Sequence, residues 1–169
     1  MDISTLKLHY KDRLKIKKPN PVVDGLLSVE TRTFLQTVGL PEDEELGLFF
    51  DENMSLLTDD LVRLEFFRTK PLCLNLRQGE GVYSGTASED FVNSSIQQFV
   101  ACVYEFEVYY STIAAKQVFG QFYGETNGKP NRLAYAAYLT DKVKAIDPAV
   151  FKKGYYWPAF LEQMEYGGI

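Results

Sequence analysis

A chain of 169 residues with 46% hydrophobic and 14% aromatic side chains is long and apolar enough to bury a core, which excludes a disordered segment. Its net charge of −5 argues against direct binding to nucleic acid, and two cysteines, Cys73 and Cys102, are too few for a disulfide framework. Charged residues interrupt the first twenty positions and no apolar stretch approaches the roughly 20 residues of a membrane span, so the expectation is a cytoplasmic protein with no membrane partner.

Residues 1–18 fit a short helix and an extended arm about equally, because Leu6, Leu8, Leu14 and Ile16 suit both spacings. Pro19 and Pro21 break this element, and residues 1–22 are expected to form a basic N-terminal arm or short helix ahead of one globular domain over 23–169. Ser28 then starts a predicted helix over 28–38 that turns Val29, Phe34, Leu35 and Val38 inward, and Gly39 with Pro41 stops it. Residues 46–50 (LGLFF) read as a short buried strand, and 61–67 (LVRLEFF) as a half-buried one with imperfect alternation. Residues 71–76 alternate more clearly, with Leu72, Leu74 and Leu76 on one face and Cys73 and Asn75 on the other. Gln78-Gly79-Glu80-Gly81 predicts a tight turn into Val82-Tyr83-Ser84, giving an antiparallel hairpin.

The strongest helix signal follows. Asn93 or Ser94 is placed to cap it, Ser94 with Gln97 has the spacing of a capping box, and Ile96, Phe99, Val100, Val103, Phe106 and Tyr110 form one apolar stripe. After a Gly- and Asn-rich loop from Gly120 to Pro130, a helix over about 131–145 is expected to bury Leu133, Ala136, Ala137 and Val143. A last helix starts near Trp157-Pro158 and runs to Tyr166. Strands followed by helices predict an α+β fold, with a single mostly antiparallel sheet and helices packed against it.

Several of these pieces carry a resemblance. Gly81-Val82-Tyr83 in a strand, then Phe91-Val92-Asn93-Ser94-Ser95-Ile96 opening a helix that contains Phe99, resembles the fourth subgroup of the SUKH superfamily of bacterial immunity proteins. Phe34-Leu35 ahead of Gly39-Leu40-Pro41 and Phe49-Phe50, the strand pair 61–68 and 71–76, and Ala145-Ile146-Asp147-Pro148 leading to Trp157, Leu161 and Glu162 agree in order. The similarity spans roughly residues 28–165. It implies a SUKH-like fold and a non-enzymatic antidote that binds a cognate polymorphic toxin, frequently a nuclease, encoded beside it. A regulatory or scaffold protein of the same superfamily is the alternative.

Charge is unevenly distributed. Lys7, Lys11, Arg13, Lys15, Lys17 and Lys18 crowd the first twenty residues, whereas 41–60 hold Glu42, Asp43, Glu44, Glu45, Asp51, Glu52, Asp59 and Asp60 with no lysine or arginine. These acids are the candidate partner-binding residues, because a nuclease presents positive charge to phosphates and an acidic inhibitor complements it; a solvated loop is the plainer alternative. Catalytic, metal-binding and cofactor-binding residues are not expected. The single histidine, His9, has no local acid or cysteine at catalytic spacing, and Gly79-x-Gly81-x-x-x-Gly85 lies between strands without opening a helix. Neighbouring acids such as Asp59-Asp60 point apart in an extended chain, unlike the convergent carboxylates of acid–base chemistry.

Overall fold

The computed structural model describes residues 2–43, 47–67, 69–85, 90–115, 132–152 and 154–166. These divide into two compact units, residues 1–100 and 101–169.

The first unit opens with α1 (Ile3–Tyr10), capped by Asp2, whose carboxylate accepts the Thr5 N–H at 3.1 Å. Leu6 and Tyr10, four apart, are its buried positions. A 3₁₀ turn leads into β1 (Leu14–Lys15), which pairs antiparallel with β2 (Leu40–Pro41). The N-terminal segment is therefore a helix followed by a short strand tied to β2. Between these partners lie α2 (Pro21–Asp24), capped by Asn20, and α3 (Val29–Thr37), capped by Ser28. Phe34, Leu35 and Val38 are buried as expected, but Val29 is exposed. It is the first residue of α3, where the apolar stripe has not yet turned inward.

Gly39 makes the return to β2 possible. Its φ is +86°, and a Cβ there would lie 2.6 Å from the Lys15 carbonyl oxygen and 2.9 Å from the Ile16 nitrogen. Only glycine adopts this backbone while admitting so close a neighbour.

The main sheet is antiparallel throughout and contains β3 (Leu48–Phe49), β4 (Ser55–Thr58), β5 (Leu61–Phe67), β6 (Lys70–Asn75), β7 (Gly81–Ser84) and β8 (Asp90–Asn93). The order β3-β5-β6-β7-β8 places β5, β6 and β7 inside, and β4 also pairs with β5 along the edge that β3 uses. Leu72, Cys73, Leu74 and Asn75 are all buried, so β6 is covered on both faces and the expected contrast between its two sides is absent. Leu76 has left the strand for a 3₁₀ turn. A register shift between Arg63 and Glu65 explains the imperfect alternation of β5, where Leu61, Val62 and Leu64 are buried. In β3, Leu48 is buried while Phe49 is exposed, so the buried strand expected from its composition is buried on one face only. The hairpin from β6 to β7 closes through Gly79 and Glu80, both with positive φ. β4 and β8 were not expected as strands.

α4 (Ile96–Ala115) begins in the first unit and continues into the second. Its cap is Ser95, whose Oγ accepts the Gln98 N–H at 3.2 Å while its carbonyl accepts the Phe99 N–H. The Ser95 hydroxyl in turn donates to Gln98 Oε1 at 3.1 Å, so the cap pairs Ser95 with Gln98, one residue beyond the Ser94–Gln97 pair expected. Asn93 is instead a buried member of β8. Ile96, Phe99, Val100, Val103 and Phe106 are buried, as are Ala101 and Cys102; the Tyr110 side chain lies outside those described.

In the second unit, α5 (Arg132–Ile146) buries Ala136, Leu139 and Val143. Ala137 is exposed, contrary to expectation, since a helix that turns 136, 139 and 143 inward points 137 away; the Leu133 side chain lies outside those described. Asp147 caps the 3₁₀ turn Pro148–Val150, and α6 (Tyr156–Tyr166) packs on α5 and buries Trp157, Phe160, Leu161 and Met164. Phe106 and Phe160 meet edge to face with centroids 5.5 Å apart.

Candidate functional site

The acidic residues singled out in the sequence occupy two places in the first unit. Glu42 and Asp43 follow β2, and Asp51 with Glu52 lie in the loop after β3. Asp59 and Asp60 form the turn between β4 and β5. Glu44 and Glu45 lie outside the described residues.

The first group runs along residues 15–18 of the basic segment. Lys15 pairs with Glu42 at 3.2 Å, and Lys18 pairs with Glu52. Main-chain bonds align the two stretches: the Glu42 N–H donates to the Arg13 carbonyl at 3.0 Å, and the Lys18 N–H to the Glu52 carbonyl at 2.7 Å. Between them Lys17 is fully buried, its ammonium donating to the carbonyls of Asp51 and Leu64 and lying 5.4 Å from the centre of the Phe50 ring. Asp43 is buried and bridges to Leu48 through its backbone, so its place is structural.

Exposed pairs such as Lys18 with Glu52 are screened by solvent and contribute little to stability, so they remain exchangeable with an incoming cation. Glu52 nonetheless holds the Lys18 ammonium above the ordinary lysine range, chiefly through their hydrogen bond. Asp51 is held below the ordinary carboxylate range, first by the Asn53 N–H that its Oδ1 accepts at 2.9 Å and further by the Asn53 side chain and Lys17. Its carboxylate stays charged and points to solvent from an Asx turn.

At the second place, Asp60 pairs with Arg77 at 2.8 Å, and its carbonyl accepts the Leu76 N–H. Asp59 is exposed beside it. The two acids share a turn, with no third carboxylate brought to them among the described residues.

Sequence reasoning missed the partnership between the basic and acidic blocks, although its signal was present: two oppositely charged stretches in one chain. It also missed the burial of Lys17, for which a lysine-rich segment gives no local sign. No group of His, Cys, Asp and Glu among the described residues is arranged to hold a metal ion, and none of the described helices is long and apolar enough to cross a membrane. Both cysteines are free and buried, and burial pushes the Cys73 thiol up to about 11.

A family model described as SUKH-4 immunity protein matches residues 17–163. The match begins at Lys17 and takes in both acidic places and the whole sheet. Searches of curated proteins and of solved structures found no match.

Proposed function

Because the chain belongs to the SUKH-4 immunity protein family, we propose that it binds a cognate bacterial toxin and neutralises it by covering the surface the toxin uses on its substrate. The family match is the observation that carries this reading. Membership implies a protein that binds a cognate toxin, and on this reading it acts through its folded surface, by steric and electrostatic blockade. A toxin that acts on nucleic acid must display cationic side chains to phosphates, and the exposed carboxylates of Asp51, Glu52 and Asp59 supply the opposite sign. On this reading the toxin is encoded beside the chain, the encounter takes place in the bacterial cytoplasm, and the acidic residues speed association more than they fix the bound state.

The test is co-expression with the toxin domain of the neighbouring gene, scored by cell survival and by co-purification. Survival together with a stable complex is expected. A toxin that kills equally with and without this chain, and does not co-purify, overturns the immunity reading in favour of a regulatory or scaffold role. Reversing Glu52 and Asp59 to lysine is expected to slow association and flatten its salt dependence. Unchanged rates at low and physiological salt would remove the acids from the interface without touching the family's function.

A further inference from the structure

Val22, Leu26 and Val29 expose 66%, 46% and 69% of their surface within eight residues of one another. The backbone arranges the first two deliberately. The chain stays in right-handed helical geometry through Gly25 (φ −71°, ψ −17°), and the Leu26 N–H donates to the Val23 carbonyl at 2.9 Å. Val22 and Leu26, four apart, therefore share the outer side of this turn, while Val23 and Leu27, also four apart, are buried on the inner side. The inner pair accounts for the fold; the outer pair and Val29 leave apolar surface in water.

Charge frames this strip at both ends. At the α2 end, the Asn20 side chain caps Val22 and donates to the Met54 carbonyl at 3.0 Å, which brings the loop of Asp51 and Glu52 alongside. At the α3 end, the Glu80 carboxylate reaches across to Ser28, accepting its hydroxyl at 2.7 Å and its N–H. Glu80 does so from a left-handed backbone with φ +62°, an unusual setting for a side chain other than glycine. The cations nearby are already engaged, Lys18 with Glu52 and Arg32 with the Asp24 carbonyl.

We infer that the strip Val22, Leu26 and Val29 is the apolar centre of the toxin-binding surface, and that it receives a toxin segment presenting an apolar side chain between basic ones. The inference rests on the immunity reading above and names the surface that reading leaves open. An apolar centre inside a charged rim is the usual division of labour in a protein interface: the centre supplies affinity and the rim sets encounter and register. The rim acids Asp51, Glu52 and Glu80 favour a partner that brings positive charge over a second copy of this strip, which would bring the same acids.

Three single variants test it, Val22→Ser, Leu26→Ser and Val29→Ser, with Leu8→Ser as control. Leu8 is exposed on α1, ahead of the residues matched by the family model. The probe is the toxin domain encoded beside this chain, and affinity is measured by calorimetry after thermal melting confirms each fold. At least two of the strip variants are expected to weaken binding by about tenfold or more, with melting and the control unchanged. Wild-type binding with all three strip variants at wild-type affinity overturns the inference and leaves the immunity reading intact. Equal weakening by Leu8→Ser also overturns it, as a general effect of apolar surface. Failure of the wild-type chain to bind the toxin domain overturns the immunity reading itself and the inference with it.

Discussion

The Lys17 ammonium donates to the main-chain carbonyl of Leu64 at 2.6 Å, so a lysine 47 residues earlier in the chain is tied into the middle of β5. The same group donates to Asp51, and its alkyl stem leaves the side chain almost without exposed surface. A buried cation is tolerated here because its protons meet oxygen atoms and an aromatic face. Lys17→Met keeps the stem and removes the donor, leaving those carbonyls short of a partner in a dry site. The expected loss is about 2–4 kcal/mol in urea unfolding, with Lys17→Arg also destabilised because a planar guanidinium does not reproduce the compact ammonium's directions toward the two carbonyls. A wild-type midpoint for Lys17→Met would show that the ammonium contributes nothing to the fold.

Gly39 and Gly79 both have positive φ, yet they predict different sensitivities. A Cβ at Gly39 would strike the backbone of Lys15 and Ile16, whereas one at Gly79 would meet nothing within 4 Å. Gly79→Ala is expected to cost only the left-handed strain of about 1–2 kcal/mol. Gly39→Ala adds a backbone clash and is expected to exceed that by a clear margin, breaking the β1–β2 ladder. Comparing the two urea midpoints decides it, and equal losses would mean that the ladder yields without cost.

Ser95→Ala removes the side-chain acceptor at the start of α4 and is expected to cost about 0.5–2 kcal/mol. Phe99→Ala, one turn later and buried, is expected to cost about 3–5 kcal/mol through lost burial and the cavity left behind. Toxin affinity should stay at the wild-type level in both once they are folded. Thermal melts place the two variants in that order; the reverse order would contradict the burial of this turn.

Cys73 gives a pH dependence with a definite sign. Burial raises its thiol from the ordinary range to about 11, so the folded state holds the proton more tightly than the unfolded chain. Its contribution is complete below the unfolded thiol pKa and is lost as pH rises toward the folded value. The stability difference between wild type and Cys73→Ala is therefore expected to shrink between about pH 9 and pH 11. Alkylation of Cys73 in the native protein at pH 8 should also be far slower than in urea. Rapid native-state labelling at that site would place the thiol in contact with solvent.

Local chemistry in the sequence determined a good part of this protein: the α+β class, α3 behind Ser28, the β6–β7 hairpin at its glycines, and the stripe of α4. Each rests on interactions among residues a few positions apart, which periodicity and capping express directly. The resemblance to an immunity family was legible for the same reason, since its motifs are short structural segments in a fixed order, and the family match over residues 17–163 confirms it. Only the tertiary structure decided what depends on distant partners. Burial of both faces of β6 depends on what the rest of the chain lays over the sheet, which its alternating sequence does not reveal. The two-residue strands β1 and β2 are too short to show a period and exist through their pairing. Above all, Lys15, Lys17 and Lys18 read as part of a basic arm or short helix until the fold pairs Lys15 with Glu42 and Lys18 with Glu52 and sets Lys17 on the Asp51 carbonyl, because such contacts depend on distance in space and sequence separation carries no record of it.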